Sequence, residues 1–246
     1  KAALVKDYLA ATTIDLARSA VIGDRVTDMQ FAGNLGIRGL RVLKDGTVAE
    51  TWPAIAHELL ARRARVQRKT KETDIRIEVD LDAEGPIHVD SGQGFFNHML
   101  EQLAKHGGFS LQLACKGDLD IDEHHTVEDC ALALGSALRQ ALGDKRGIAR
   151  YGFLLPMDEA RVQVAIDLSG RPYAIFEGKF GRSEVGGLST EMIPHFFRSL
   201  AETLGAALHV SVTGDNTHHM VEACFKGVGR ALRQAIRHEG SELPST

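Results

Sequence analysis

Cysteine is scarce in this chain. Cys115, Cys130 and Cys224 are odd in number, far apart and without a C-x-x-C pair. No disulfide framework is indicated, a structural zinc site is disfavoured, and the thiols are expected to be buried in a reducing compartment. Long apolar runs are lacking as well: nothing approaches a membrane span, and Lys1 to Ala10 has no signal-peptide pattern, which predicts a cytoplasmic protein. Charge of one sign is lacking too. A net charge of -4 with His neutral gives no electrostatic case for nucleic acid. The short basic run of Arg62, Arg63 and Arg65 to Lys71 reads as a solvated linker. The remainder, 43% hydrophobic and 25% charged, is the composition of a soluble globular protein. Its length suits one large or two ordinary domains with ample core.

Histidine, by contrast, is concentrated. His124-His125-Thr126-Val127-Glu128 and His218-His219-Met220-Val221-Glu222 hold four of the 11 histidines, and each opens a run that reads as helix. On a helix the first His and the Glu are four residues apart and share a face. Adjacent histidines diverge by about 100°, so one pair serves two neighbouring ions better than one. Each stretch has a further His upstream, His98 and His195. The candidate ligands are therefore His98, His124, His125, Glu128, His195, His218, His219 and Glu222. Divided between two ions they give about three imidazoles and one carboxylate each, a donor set that suits Mn²⁺, Fe²⁺ or Zn²⁺. Positions stay open for a substrate, where the metals can act as Lewis acids or templates. His57, His88, His106, His209 and His238 lie outside the pattern and read as ordinary surface or core residues.

An internal repeat surrounds these ligands. Glu72-x-x-Ile75-x-Ile77-x-Val79-Asp80-Leu81 alternates like a half-buried strand, and Glu159-x-x-Val162-x-Val164-x-Ile166-Asp167-Leu168 repeats it in the same register. Each half continues through a turn-rich segment, a helix carrying an aromatic-flanked His, another alternating strand, and the His-His-x-x-Glu helix, running to about Leu142 and Arg237. The expected class is α+β: duplicated half-domains at about 67–150 and 151–246, mostly antiparallel sheets, helices packed on one face. Residues 1–66 differ. Ala20 to Asp24 reads as a strand, then come Asp28, a helix through Met29, Phe31 and Ala32, and a second strand at Gly36 to Val42, an α/β unit with a parallel pair. Leu4 to Leu9 reads as part of a helix, and Trp52-Pro53 starts a connecting helix to about Arg65. Asp24 and Asp28 sit where such sheets bind ligands and would suit Mg²⁺. Glu72 and Glu159 head equivalent strands beside the metal pattern and are candidates for acid/base work. Arg150, Arg171, Arg182, Arg198 and Lys226 are candidates for a phosphate.

Two resemblances follow from these residues. Ile22 to Val42 resembles the fourth motif of the haloacid-dehalogenase phosphatases, closest to the histidinol-phosphate branch. That family's nucleophile lies in an upstream Asp-x-Asp motif, so residues 1–66 are expected to be a C-terminal remnant whose Mg²⁺ site is inactive. Residues 67–246 resemble imidazoleglycerol-phosphate dehydratase of histidine biosynthesis. The carrying stretches are Arg68-x-Thr70-x-Glu72-Thr73, Phe95-Phe96-Asn97-His98-Met99-Leu100, Asp122 to Asp129, Met157-Asp158-Glu159-Ala160, Ser189 to Phe197 and His218 to Glu222. Both activities occur together in bifunctional bacterial proteins. The resemblance implies the duplicated fold of the second domain of ribosomal protein S5 and two Mn²⁺ ions per site, binding the substrate as imidazolate. It implies that Glu72 is the acid/base, that Gln102 helps hold the substrate, and that Arg150, Arg171, Lys226 and Ser245 hold its phosphate. The product would be imidazole acetol phosphate. It further implies sites shared between subunits, with trimers closing into a shell of cubic symmetry and about 24 subunits. The family continues beyond this Ser-Thr end with a Lys-Gly that closes on the phosphate, a segment this sequence does not include. The alternatives are a metal-binding protein without catalysis, in which Glu72 and the arginines would have no role, and a histidinol-phosphate phosphatase.

Overall fold

A computed structural model describes residues 19–43 and 50–244, together with Val5, Tyr8, Asp15 and Leu16. The expected helix at Leu4 to Leu9 and the phosphate candidate Ser245 lie outside the described residues, apart from Val5 and Tyr8. The chain divides into two compact units, Lys1–Ala61 and Arg62–Thr246. In the first, β1 (Ala20–Gly23) pairs in parallel with β2 (Arg38–Arg41) through α1 (Val26–Leu35). Gly36 ends α1 at φ 67, a left-handed turn in which its N–H reaches the Ala32 and Gly33 carbonyls. α2 (Trp52–Leu60) follows.

The expected linker is corrected here. Residues 63–69, read as a continuation of the connecting helix and a solvated basic run, form strand β3 (Arg63–Lys69) instead. Arg63 and Arg65 alternate with Ala64 and Val66, and Arg63, Arg65 and Lys69 each lie opposite an acid on β4 (Asp74–Asp80). Arg63 meets Asp80 at 2.5 Å, Arg65 meets Glu78 at 2.9 Å, and Lys69 meets Asp74 at 3.3 Å. Directly opposed opposite charges stabilise a strand pair, which a count of like charges along one segment misses.

The second unit is α+β and duplicated. Its elements after β4 are β5 (Ile87–Asp90), α3 (Gly94–Gly107), β6 (Ser110–Lys116) and α4 (His124–Leu142). The second half repeats them as β7 (Tyr151–Met157), β8 (Ala160–Asp167), β9 (Tyr173–Glu177), α5 (Met192–Leu204), β12 (Ala207–Thr213) and α6 (Thr217–Ala235). The sheet orders β3-β4-β6-β5 and β7-β8-β12-β9 are the same. Each contains one parallel pair, because β5–α3–β6 and β9–α5–β12 are crossovers through a helix. An extra hairpin, β10 (Glu184–Val185) and β11 (Leu188–Ser189), turns at Gly186 and Gly187, both with positive φ. Among the described residues no helix is long and apolar enough to cross a membrane.

The helices exchange partners between halves. α4 packs on α5, and α3 packs on α6, while each also lies on its own sheet. One core results, filled by the alternating faces Ile75, Ile77 and Val79 of β4 and Val162, Val164 and Ile166 of β8. Each such side chain contributes about 1.5–3 kcal/mol of burial. Cys130 and Cys224 are buried in it, and burial pushes the Cys224 thiol up. Glycine sets how closely the helices approach. A Cβ at Gly135 on α4 would stand 2.6 Å from the Leu200 carbonyl oxygen of α5, and one at Gly229 on α6 2.5 Å from that of Leu103 on α3. The two glycines follow His124 and His218 at the same interval, so the close crossing is itself repeated.

Candidate metal centre

Both His-His helices begin with the same device. Asp122 accepts the His124 N–H at 2.8 Å, and Asn216 accepts the His218 N–H at 2.9 Å. A short polar side chain satisfies a free N–H at a helix start, which fixes the chain just where the ligands begin. Consecutive rings then diverge almost identically: His124 and His125 by 83°, His218 and His219 by 83°.

Because helices pair across halves, so do the candidate ligands. His124 and Glu128 of α4 meet His195 of α5: Glu128 Oε2 lies 3.3 Å from His124 Nε2 and 3.2 Å from His195 Nε2. The His124 and His195 rings stand 4.8 Å apart. Although so near Glu128, His195 Nε2 is buried without a hydrogen bond of acceptable geometry among the described residues. Two imidazole nitrogens and a carboxylate converging on one point fit a divalent cation. The second cluster joins His98 of α3 to Glu222 (3.5 Å) and His218 of α6 to Glu222 (3.9 Å). Here Lys226 Nζ also reaches Glu222, at 2.8 Å. Burial works against the Glu222 charge, but the hydrogen bond and charge of Lys226 hold its carboxyl below the usual range. The Phe96, Phe196, Phe197 and Phe225 rings pack edge-on or tilted on one another, joining α3, α5 and α6, and Phe95 meets the His218 ring edge-on at 5.3 Å.

The second histidines do not join these clusters. His125 Nδ1 contacts Asp118 Oδ2 at 3.0 Å, and His219 Nδ1 contacts Glu159 at 2.9 Å. Each hydrogen bond raises the pKa of its imidazole, and that with His219 lowers that of Glu159. A carboxylate on Nδ1 fixes the ring and leaves Nε2 for a metal, the usual outer support of a histidine ligand. The sign follows from the raised values. The ion pair is complete below about 6.5, the ordinary imidazole value, and is lost as pH rises through the raised one. In chain freed of metal, Asp118→Asn should therefore lower the pH at which His125 titrates, read from its ring resonances. An unmoved titration would remove Asp118 as the cause.

Glu72 is half-buried at the tip of the β3–β4 hairpin, and its charge adds to the raising of His125. Gln102 follows His98 by one turn of α3 and is half-buried. Arg171 is exposed in the turn after β8, its N–H on Ser169 Oγ at 3.2 Å. Arg150 is buried, and its fork is bidentate on Asp167 at 2.5 and 3.0 Å. Arg198 is exposed on α5, and Arg182 lines an open cleft of about 600 Å³ with Glu159, Asn216 and His219. His88, His209 and His238 are exposed, and His106 is half-buried within reach of the charges of Lys226 and Glu222. In the first unit Asp24 and Asp28 lie just past β1, where Asp28 accepts the Arg25 N–H at 3.1 Å and caps α1. Asp118 was not legible in the sequence. The repeat predicts no partner for His125 there, because the matching ring is held by Glu159 from another element.

Two family models, curated proteins and solved structures match this chain. Residues 91–232 match the family model of imidazoleglycerol-phosphate dehydratase, and residues 1–61 match a HAD-hydrolase-like model. The "Histidine biosynthesis bifunctional protein HisB" of Stenotrophomonas maltophilia (strain R551-3) is 57% identical over 99% of this chain and 69% of its own length. That of Xanthomonas oryzae pv. oryzae (strain PXO99A) is 55% identical over 99% and 70%. The crystal structure of imidazoleglycerol-phosphate dehydratase from Staphylococcus aureus is 35% identical with TM-score 0.65, covering 72% of this chain and 99% of that one. The enzyme from Pyrococcus furiosus, in complex with (S)-C348, is 36% identical with TM-score 0.65, covering 74% and 98%.

Proposed function

Because the chain belongs to the imidazoleglycerol-phosphate dehydratase family, we propose that it removes water from imidazoleglycerol phosphate to give imidazole acetol phosphate in histidine biosynthesis. The observation that carries this reading is the His124–Glu128–His195 group, drawn from both halves, with a buried imidazole nitrogen left without a hydrogen bond. We assign two manganese ions to the eight ligands, with His98, His218 and Glu222 forming the second group and His125 and His219 each offering Nε2. When bound, manganese supplies Lewis acidity to the substrate's imidazole nitrogens.

The chain's own residues do the rest. Glu72 takes the proton from the carbon next to the one that loses its hydroxyl and passes it to the departing hydroxyl; the enol's own O–H proton then moves, through Glu72, to the carbon that lost the hydroxyl as the ketone forms. Hydroxyl and proton leave together as water, so the product differs from the substrate by one water molecule. Gln102 holds the substrate beside His98. Arg171, exposed in a turn, takes the phosphate with Lys226 and Ser245. Arg150 belongs to the same phosphate end, where its pairing with Asp167 fixes the strand that leads into the Arg171 turn. His125 and His219 stay outside the two clusters of one copy, each partly exposed, and this supports sites completed between copies, in trimers that close into a shell of about 24 subunits.

Turnover tests the reading. Chain stripped with chelator should not dehydrate imidazoleglycerol phosphate, and activity should return as Mn²⁺ is added up to about two ions per chain. Metal uptake with no turnover at any Mn²⁺ concentration would overturn it.

A further inference from the structure

The hairpin that carries Glu72 is pinned to α4 by one buried carboxylate. Lys71 and Glu72 form the two-residue tip, closed by Thr70 N–H on the Thr73 carbonyl at 2.9 Å. Such a tip ordinarily moves freely. Here both flanking residues reach Asp129, the residue after Glu128 on α4. Thr73 Oγ1 donates to Asp129 Oδ2 at 2.6 Å, and Thr70 Oγ1 lies 3.3 Å from the same oxygen. Arg68 donates to Asp129 Oδ1 from Nε at 2.9 Å and Nη2 at 2.7 Å, balancing the charge. The Glu72 N–H itself donates to Thr70 Oγ1 at 3.2 Å. Asp129 and Thr73 are both buried.

The second half shows what this network is not for. The β7–β8 hairpin has the same two-residue tip, Asp158 and Glu159, between paired Met157 and Ala160. In the repeat Arg68, Thr70, Thr73 and Asp129 correspond to Leu155, Met157, Ala160 and Ala223. All four polar members are apolar there, and the hairpin still folds. Buried ionic networks are often matched or exceeded in stability by apolar residues of similar shape. Fold alone therefore does not call for the polar set in the first half. The two hairpins carry different carboxylates: Glu159 is held by His219, whereas Glu72 has its backbone clamped and its side chain left to act.

We propose that Asp129, with Arg68 and Thr73, is a positioning group that sets Glu72 at a fixed place relative to the ligands of α4. This rests on the acid/base reading of Glu72 and adds to it the device that aims the carboxylate. Displacing a reacting group by about an ångström costs on the order of 100-fold in rate.

Thr73→Val removes the hydroxyl at nearly unchanged shape. It should lower kcat roughly 10- to 100-fold, leave KM and manganese content unchanged, and raise the isotope effect with substrate deuterated at the carbon that loses its proton. Thr73→Ser should restore all three. A second variant carries the other half's residues, Arg68→Leu, Thr70→Met, Thr73→Ala and Asp129→Ala together. It should fold, bind manganese and melt no lower than the parent, yet show the same loss in kcat. Full kcat in either variant, or a loss of kcat with no rise in the isotope effect, would overturn the proposal. Glu72→Gln run alongside separates the two levels. If that variant remains active the acid/base reading has failed, whereas an inactive Glu72→Gln beside a fully active Thr73→Val refutes the positioning role alone.

Discussion

Glu72→Gln is expected to cut kcat by roughly 10³-fold, within the range that a positioned acid/base contributes. Manganese content and KM should barely change, because Glu72 belongs to neither metal group. The substitution keeps the shape and one acceptor oxygen but removes the ability to take up a proton near neutral pH. Its site explains why a stability artefact is not expected: Glu72 is half-buried at a hairpin tip, and its neighbours, not its carboxylate, anchor that tip. The charge of Glu72 also helps to raise the His125 pKa, so the variant should titrate His125 at slightly lower pH. Near-normal turnover with bound metal would sink the acid/base role.

His195→Ala should be more damaging still. Manganese bound after gel filtration is expected to fall from about two ions per chain to about one, and turnover should fall at least roughly 10³-fold. Glu128 is shared by His124 and His195 at nearly equal distances, so removing one imidazole leaves two donors where three converged. His98 and His218 lie with Glu222 on the other helix pair and should keep their ion. Elemental analysis beside a thermal melt measures both. A full complement of metal in a folded His195→Ala protein would show that the group is a polar cluster and not a ligand set.

The α+β class and the repeat were legible because strands alternate with period two and the two halves preserve the same register. The Ile75-x-Ile77-x-Val79 and Val162-x-Val164-x-Ile166 faces are both buried, as the alternation predicts. The helix partnership across halves was not legible. Which helix lies against which is decided by where Gly135 and Gly229 let backbones approach, a tertiary fact without a local pattern. The basic stretch at Arg63 misled for a related reason: its partners Asp80, Glu78 and Asp74 lie on the next strand, and charge read along one segment cannot show them. At the candidate centre, the repeated motifs disclosed side chains that the fold brings together. Their division did not follow, since His125 and His219 each turn to a carboxylate that the repeat does not place equivalently. Arg150 shows the same limit, its guanidinium turned to Asp167 within the fold.

The crossed pairing of α3 with α6 and α4 with α5 bears on the order of events as the chain folds. Neither half contains all the side chains of a cluster, so neither cluster can exist before sequence-distant helices have met. Contacts of that kind form late, after the entropy of closing long loops has been overcome. A metal ion therefore cannot nucleate either half; it can only lock a helix layer already assembled. The side chains of His98, His124 and His218 stay partly exposed, so an ion can leave while the layer remains closed, and its loss removes only the stability that binding had added.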